Sequence, residues 1–350
     1  MRDYSWCRNF GTTRARLWLA LIFASLIATH AARADDMQLG GMTIKNWGYQ
    51  LQNDTADTIA NSPYDVVVID YSKDGSTSGA FTPDELVQMK KKPDGSRRIV
   101  LSYISIGEAE NYRYYWLERG WNRRANRAGV VDDQNSEWKG NYSARYWMSE
   151  WQDLILNDSD SYMNRILQAG FDGIYLDKID VCDAYKDKTL EGAPDGAIAS
   201  DLMIQFVRKI STVMKQRNPN FLIIAQNAEF LLADDDYRAA LDGIGKEDIF
   251  YGEQQVGNSS GYKDGIANND TDITATTDLV NKLKAGGGAV MGVEYLCNSK
   301  SGDCDSDAIT ATAVKYQALG YLLYIGPRDL ARLAPPEDVV AANGSDDPNQ

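Results

Sequence analysis

Short apolar runs alternate with amphipathic stretches along most of the chain, and the alternation repeats about eight times. The apolar runs are Asn46 to Leu51, Tyr64 to Tyr71, Arg98 to Ile106, Phe171 to Leu176, Phe221 to Ala225, Leu241 to Glu247, Ala289 to Val293 and Tyr321 to Ile325. Most are short and rich in β-branched or aromatic residues, with Gly, Pro, Asn or Asp close by, which predicts buried strands. Helical patterns lie between them. Thr82-Pro83-Asp84-Glu85 predicts a helix start, with Thr82 as N-cap, Pro83 in the first turn and Glu85 closing a capping box. Leu202, Met203, Phe206, Val207, Ile210 and Met214 recur at helical spacing within Asp201 to Lys215. Further helices are expected over Trp151 to Leu167, from Glu229, over Thr274 to Ala285 and over Ile309 to Leu319. Eight strand-helix units without a glycine-rich phosphate turn argue against an open, doubly wound sheet. Gly286-Gly287-Gly288 ends a helix and precedes a strand, the wrong order for a phosphate cradle. The pattern predicts an α/β fold, a single-domain (β/α)8 TIM barrel.

The ends of the chain do not follow this pattern. Arg2, Arg8, Arg14 and Arg16 lead into the apolar run Leu17 to Ile27, and Ala32-Arg33-Ala34 is a small-x-small cleavage site. Residues 1–34 are therefore expected to be a secretory signal peptide, leaving a barrel over 35–334 in a secreted or periplasmic protein. The apolar core is short for a membrane span, and no later run approaches ~20 apolar residues, so no span is expected after cleavage. The Pro-, Asn-, Gly- and Asp-rich residues 335–350 are expected to be a disordered tail.

Losing the leader alters the available chemistry. The only histidine, His30, lies within it, which removes Ser-His-Asp and Cys-His catalysis and His-ligated metals. Of the four cysteines, Cys7 leaves as well. Cys297 and Cys304 flank a polar loop and are candidates for a disulfide in an oxidising compartment; Cys182, set among acids, is a poor nucleophile. The chain holds 36 basic and 50 acidic residues, and beyond residue 34 the balance is 31 against 49, net −18. Such a protein repels nucleic acid and anionic lipid and attracts cationic polymers, although solubility alone also accounts for an acidic excess.

Acids stand at or just past the predicted strand ends: Asp70, Glu108 and Glu110, Asp177 and Asp180, Glu247, Glu294. Strand ends converge on one face of a barrel, the face that carries chemistry. Without histidine, the reaction best served is glycoside hydrolysis, in which one carboxyl protonates the leaving oxygen and the other attacks the anomeric carbon or activates water. Asp177 and Glu247, two strands apart, are the candidate pair. Around them Asp70, Tyr71, Tyr103, Glu108, Asp180, Asn227, Glu294 and Tyr295 are candidate substrate contacts, any acid among them having the alternative of an internal salt bridge. Residues 112–151 contain Trp116, Trp121, Trp138, Trp147 and Trp151 with Tyr112, Tyr114, Tyr115, Tyr142 and Tyr146. Flat faces with polar edges suit sugar rings, and packing beneath a long loop is the competing use.

Tyr64 to Tyr71 (YDVVVIDY), Tyr103 to Glu108 (YISIGE), Gly170 to Asp180 (GFDGIYLDKID) and Gly245 to Gly252 (GKEDIFYG) resemble glycoside hydrolase family 114 over roughly residues 43–333. The third block is the most specific. The resemblance implies a (β/α)8 barrel that cuts internal α-1,4 linkages of galactosamine polymers. It places the family's fourth-strand Asp on Asp177 and its sixth-strand Glu on Glu247, with Asp180 as a substrate contact. Lys178 departs from the smaller or neutral residue common in fungal members. An acid-ringed cleft independently suits a cationic amino-sugar polysaccharide. A monomer without cofactor or bound metal is expected, since Asp177, Asp180 and Asp183 lack the Gly and distal Glu of a calcium-binding loop. The alternative is a secreted carbohydrate-binding barrel that does not turn over its ligand.

Overall fold

Period-two alternation on eight short strands sorts their side chains into a bore and an outer layer. In the computed structural model these strands are β1 Trp47–Tyr49, β2 Val66–Asp70, β3 Ile99–Ser105, β4 Gly173–Asp177, β5 Leu222–Gln226, β6 Gly243–Glu247, β7 Ala289–Cys297 and β8 Leu322–Pro327. The structure describes residues 37–136, 138–185, 196–256, 261–298, 303–304 and 306–333. The expected signal segment and tail lie outside them. All eight strands pair in parallel and in sequence order. Every connection contains a helix that precedes the next strand: α1 Ala56–Ala60, α2 Pro83–Met89, α3 Tyr162–Ala169, α4 Gly196–Arg217, α5 Asp235–Ala239, α6 Asp270–Ala285 and α7 Ser306–Leu319, with further short helical turns at Tyr114–Glu118, Arg124–Arg127 and Val181–Ala184. This is the (β/α)8 barrel expected from the pattern. Between β8 and β1 the described residues form no ladder. There the Leu51 and Gln52 amides donate to the Leu330 carbonyl at 2.9 and 3.2 Å, and the Trp47 and Tyr324 rings lie 5.7 Å apart.

Aromatic rings fill the bore. Trp47 and Tyr49 of β1 meet Tyr175 of β4 with centroids 6.3 and 5.3 Å away. Tyr175 reaches on to β6, where a Cβ on Gly245 would stand 1.8 Å from its hydroxyl oxygen. Only glycine lets the ring pass. The opposite parity, including Val67, Ile69, Val100, Ile104, Ile174, Leu176, Ile223 and Ile244, is fully buried in the outer layer.

Local signals set most boundaries. Thr82 and Glu85 form the expected capping box, the Glu85 amide donating to Thr82 Oγ1 and the Thr82 amide to Glu85 Oε2. The continuous helix expected over Trp151 to Leu167 is instead a helical turn at Ser149–Gln152, a π turn at Asp153–Asn157 and then α3. Asn157 to Asp160 breaks it: polar residues that bond their own backbone compete with helix there. Likewise the helix expected from Glu229 is a 3-10 turn, Glu229–Ala233, followed by α5. Three additional β units were not anticipated: the hairpin Met37–Leu39 with Met42–Ile44, the sheet of Glu108–Glu110, Asn141–Ala144 and Val131–Gln134, and the hairpin Tyr251–Val256 with Gly261–Ala267. The last two crown the mouth into which the strands point.

At the opposite end Arg98 is fully buried without a carboxylate partner. Its guanidinium donates to the carbonyls of Tyr64 at 2.8 Å, Met89 at 2.6 Å and Ser62 at 2.5 Å, tying the entry of β2 to the end of α2. Arg98→Met leaves those buried acceptors unpaired, so urea unfolding should show a loss of about 3 kcal/mol, with Arg98→Lys recovering part of it. Equal midpoints for wild type and Arg98→Met would refute this role.

Candidate active site

Asp177 closes β4 and Glu247 closes β6, with β5 between them. Both share strand parity with bore-facing residues: Asp177 follows Tyr175 by two, and Glu247 follows Gly245 by two. Their carboxylates therefore rise from the bore into one mouth. The Tyr49 and Tyr175 hydroxyls beneath them have pKa values raised first by burial and further by the charges of both acids.

The two acids have unlike surroundings. Asp177 Oδ2 accepts from the Tyr103 hydroxyl at 2.6 Å and Oδ1 from the Lys178 amide at 2.6 Å. Burial pushes its pKa from 3.8 to about 7; the charges of Asp180 and Glu247 add to this, while Lys178 and the Tyr103 hydrogen bond oppose it. A carboxyl in that range holds its proton near neutrality. Glu247 accepts from the Asn227 amide at 2.7 Å and from the Tyr295 hydroxyl. The Asn227 carbonyl takes the Glu247 backbone N–H at 3.0 Å, so one side chain fixes both ends of the residue. Asn227 reaches this position in a left-handed conformation, φ 54°. Behind Tyr295, the Arg328 guanidinium stacks 4.2 Å from its ring and pairs with Asp248 at 2.9 Å and Asp264 at 2.5 Å.

The remaining candidates divide. Tyr103, Asn227 and Tyr295 touch the two acids directly. Asp70 has bore parity, but its carboxylate pairs with the buried Arg113 at 2.6 Å, and Arg113 pairs with Glu110 at 2.7 Å. It belongs to a buried cluster in which one guanidinium serves two carboxylates. Glu108 is buried, held by Asn135 and Asn141 at 2.9 and 3.2 Å, with Lys178 Nζ 3.7 Å away. Asp180 is half-exposed, 3.9 Å from the same ammonium. Two expectations are corrected. Tyr71 carries the opposite parity from Asp70 and packs edge-on against Tyr162 of α3, 5.2 Å between centroids. Glu294 is fully buried in the outer layer, where its oxygens take the Phe250 and Tyr251 amides at 2.8 and 3.1 Å and the Tyr316 hydroxyl at 2.9 Å. Adjacent strand residues cannot both face the bore, so of Asp70-Tyr71 and Glu294-Tyr295 only one member each reaches it.

Tyr49, Tyr175, Gln226 and Arg113 were not anticipated from the sequence. Tyr175 was detectable by its shared parity with Asp177; Gln226, which accepts from the Tyr49 hydroxyl at 3.2 Å across the bore, and Arg113, in a loop, carried no such signal. Cys297 and Cys304 are joined in a disulfide at the end of β7. Among the described residues no three His, Cys, Asp or Glu side chains gather to hold a metal.

An eight-stranded parallel barrel with two oriented carboxyl groups in unlike surroundings at its C-terminal mouth is an architecture that suits glycoside hydrolysis. The chain matches the model of Glycoside-hydrolase family GH114 over residues 27–343 and belongs to that family. It is 34% identical over 288 residues to the uncharacterized protein MJ1477 of Methanocaldococcus jannaschii, spanning 81% of this chain and 75% of that one. An uncharacterized protein of Thermotoga maritima is 37% identical over 212 residues, 60% of this chain and 61% of that one. In fold it is similar to the glycoside hydrolase domain of PelA from Pseudomonas aeruginosa, with a TM-score of 0.58 and 14% identity over 82% of this chain and 96% of that one.

Because the folded pKa of Asp177 lies above its unfolded value, the native state binds the extra proton between pH ~4 and ~7, and stability falls as pH rises through that window. Asp177→Asn should therefore be more stable than wild type by about 4 kcal/mol at pH 8, the advantage vanishing near pH 4. Denaturant titrations at both pH values measure it, and an advantage independent of pH would contradict the buried-charge account.

Proposed function

We propose that this glycoside hydrolase cleaves internal α-1,4 linkages of galactosamine-containing polysaccharide outside the cytoplasm. The observation that carries the reading is the contrast between the two acids. Asp177, protonated near neutrality, faces Glu247, whose oxygens are held by an amide and a hydroxyl. In this reading Asp177 donates its proton to the glycosidic oxygen as the bond to the anomeric carbon breaks. Glu247 attacks that carbon or deprotonates the water that does. Tyr295 and Asn227 aim Glu247, and Tyr103 aims Asp177. The substrate class is supported by the family resemblance and by acids around the mouth, which hold ammonium groups by charge. Export is supported by the leader-like residues 1–34 and by the Cys297–Cys304 bridge, a bond favoured in oxidising compartments.

Digestion of a panel of galactosamine, glucosamine and neutral galactan polymers, with products sized by mass spectrometry, tests the reading. Release of mid-length fragments is expected from the galactosamine polymer only. Asp177→Asn and Glu247→Gln should each lower reducing-end release by about 10³-fold or more, and EDTA should leave it unchanged. Binding without release by the wild type would favour the carbohydrate-binding alternative. On the pH axis, kcat/KM should fall as pH rises through about 7, where Asp177 loses its proton. A profile flat from pH 6 to 9 would remove Asp177 from the acid role.

A further inference from the structure

Two lysines flank the acid pair. Lys246 Nζ is spent on the Glu247 backbone carbonyl at 2.6 Å and stands 3.8 Å from Glu229, whereas Lys178 Nζ has no such partner among the described residues. Lys178 follows Asp177 in a left-handed backbone conformation, φ 60°, uncommon for a residue with a Cβ. Its carbonyl is fixed there by Gly107, where a Cβ would stand only 2.0 Å from the Lys178 oxygen. The two loops beyond β3 and β4 interlock at this point. The ammonium lies 3.7 Å from Glu108 and 3.9 Å from Asp180, and the side chain stays 27% exposed. Those separations exceed hydrogen-bond length, so neither acid consumes its three N–H donors. Burial disfavours its charge, but Asp180, Glu108, Asp177 and Glu247 together outweigh that and keep it protonated.

A sugar bound between Asp177 and Glu247 therefore lies beside a cation with donors to offer. An ammonium at C2 of that sugar would meet a like charge. An acetamido group would be neutral and present a carbonyl that Lys178 can bond. We propose that Lys178 makes the sugar position beside it selective for an N-acetylated residue, so that the enzyme cuts partly acetylated galactosamine chains next to an acetamido sugar. This rests on the substrate reading above. The ammonium reaches only the sugar seated next to it, so the preference concerns one position rather than the whole chain. Lys178 also opposes the upward shift of the Asp177 pKa, so its removal is expected to move the pH profile as well.

The test compares wild type, Lys178→Met and Lys178→Arg on galactosamine polymer in two forms, fully de-N-acetylated and partly re-N-acetylated, with product ends sequenced by mass spectrometry. Wild type should leave N-acetylgalactosamine enriched at one of the two ends created by each cut. Lys178→Met should lose that enrichment and shift the ratio of kcat/KM values toward the de-N-acetylated polymer by roughly tenfold, while Lys178→Arg keeps the wild-type ratio. A merely structural role would lower both rates together and leave the ratio in place. Unbiased product ends from the wild type, which needs no variant to fold, or an unchanged ratio in Lys178→Met would overturn the selectivity. Cleavage of neither form by the wild type would instead overturn the substrate reading, and this inference with it.

Discussion

A side chain can reach the mouth of a barrel only if it points into the bore, and a strand offers every second residue for that purpose. This constraint decides which acids can act. Tyr175 and Asp177, Gly245 and Glu247, and Val293 and Tyr295 each share a parity, and the lower member of each pair supports or clears space for the upper one. Tyr175 crosses the bore because Gly245 has no side chain. Its ring then closes the floor on which both carboxylates stand. Substituting either residue of that pair would alter the depth of the cleft before touching the chemistry.

The barrel handles its buried acids in two ways. Asp70 and Glu110 share one partner, Arg113, itself fully buried, with the Tyr112 and Tyr162 rings 4.9 and 5.7 Å from the guanidinium. Glu294 is satisfied by two backbone amides and a tyrosine, although burial still lifts its pKa to about 7. These groups hold loops in place. The carboxylates of Asp177 and Glu247 receive neutral donors, with Lys178 on one flank and Lys246, bonded to the Glu247 backbone carbonyl, on the other. An ion pair as close as that of Arg113 would quench the proton affinity that acid catalysis needs. Asp54 goes further: burial and the Asp70 charge raise its pKa to about 7, and its carboxyl oxygens accept no hydrogen bond.

Strand order and the placing of Asp177 and Glu247 at one mouth were legible because both depend on local pattern. An apolar run followed by an acid marks a strand end, and strand ends of a barrel converge. Tyr71 and Glu294 were misplaced because a run such as Val-Glu-Tyr does not say which parity faces inward. That is settled only by contacts such as the Tyr295 hydroxyl on Glu247. The aromatic stretch was read for two uses, and burial separates them: Trp116, Trp121 and Trp151 are core, whereas Trp138 is 57% exposed on the loop whose Asn135 holds Glu108. The crowning sheet and hairpin escaped notice because their polar, mouth-facing strands lack the apolar runs that reveal the barrel.

The two sides of the mouth differ in how they are fixed. Glu247 is over-determined. Asn227 grips it twice, Tyr295 caps it, and Arg328 braces Tyr295 while tying Asp248 to the hairpin that follows β6. The disulfide closes the same side at the end of β7. Asp177 has only Tyr103 and a backbone amide, and its flank is built from charges: Glu108, Lys178 and Asp180, held at ion-pair rather than hydrogen-bond distance. In the reaction proposed above, rigid packing suits the group that would meet one carbon atom at one angle. A charged flank tolerates substitution without collapse, because its members interact through a field that falls off gradually with distance. Differences in sugar preference among barrels of this design should therefore arise on the side of the third and fourth strands, while the side of the sixth to eighth strands keeps the geometry of the reaction.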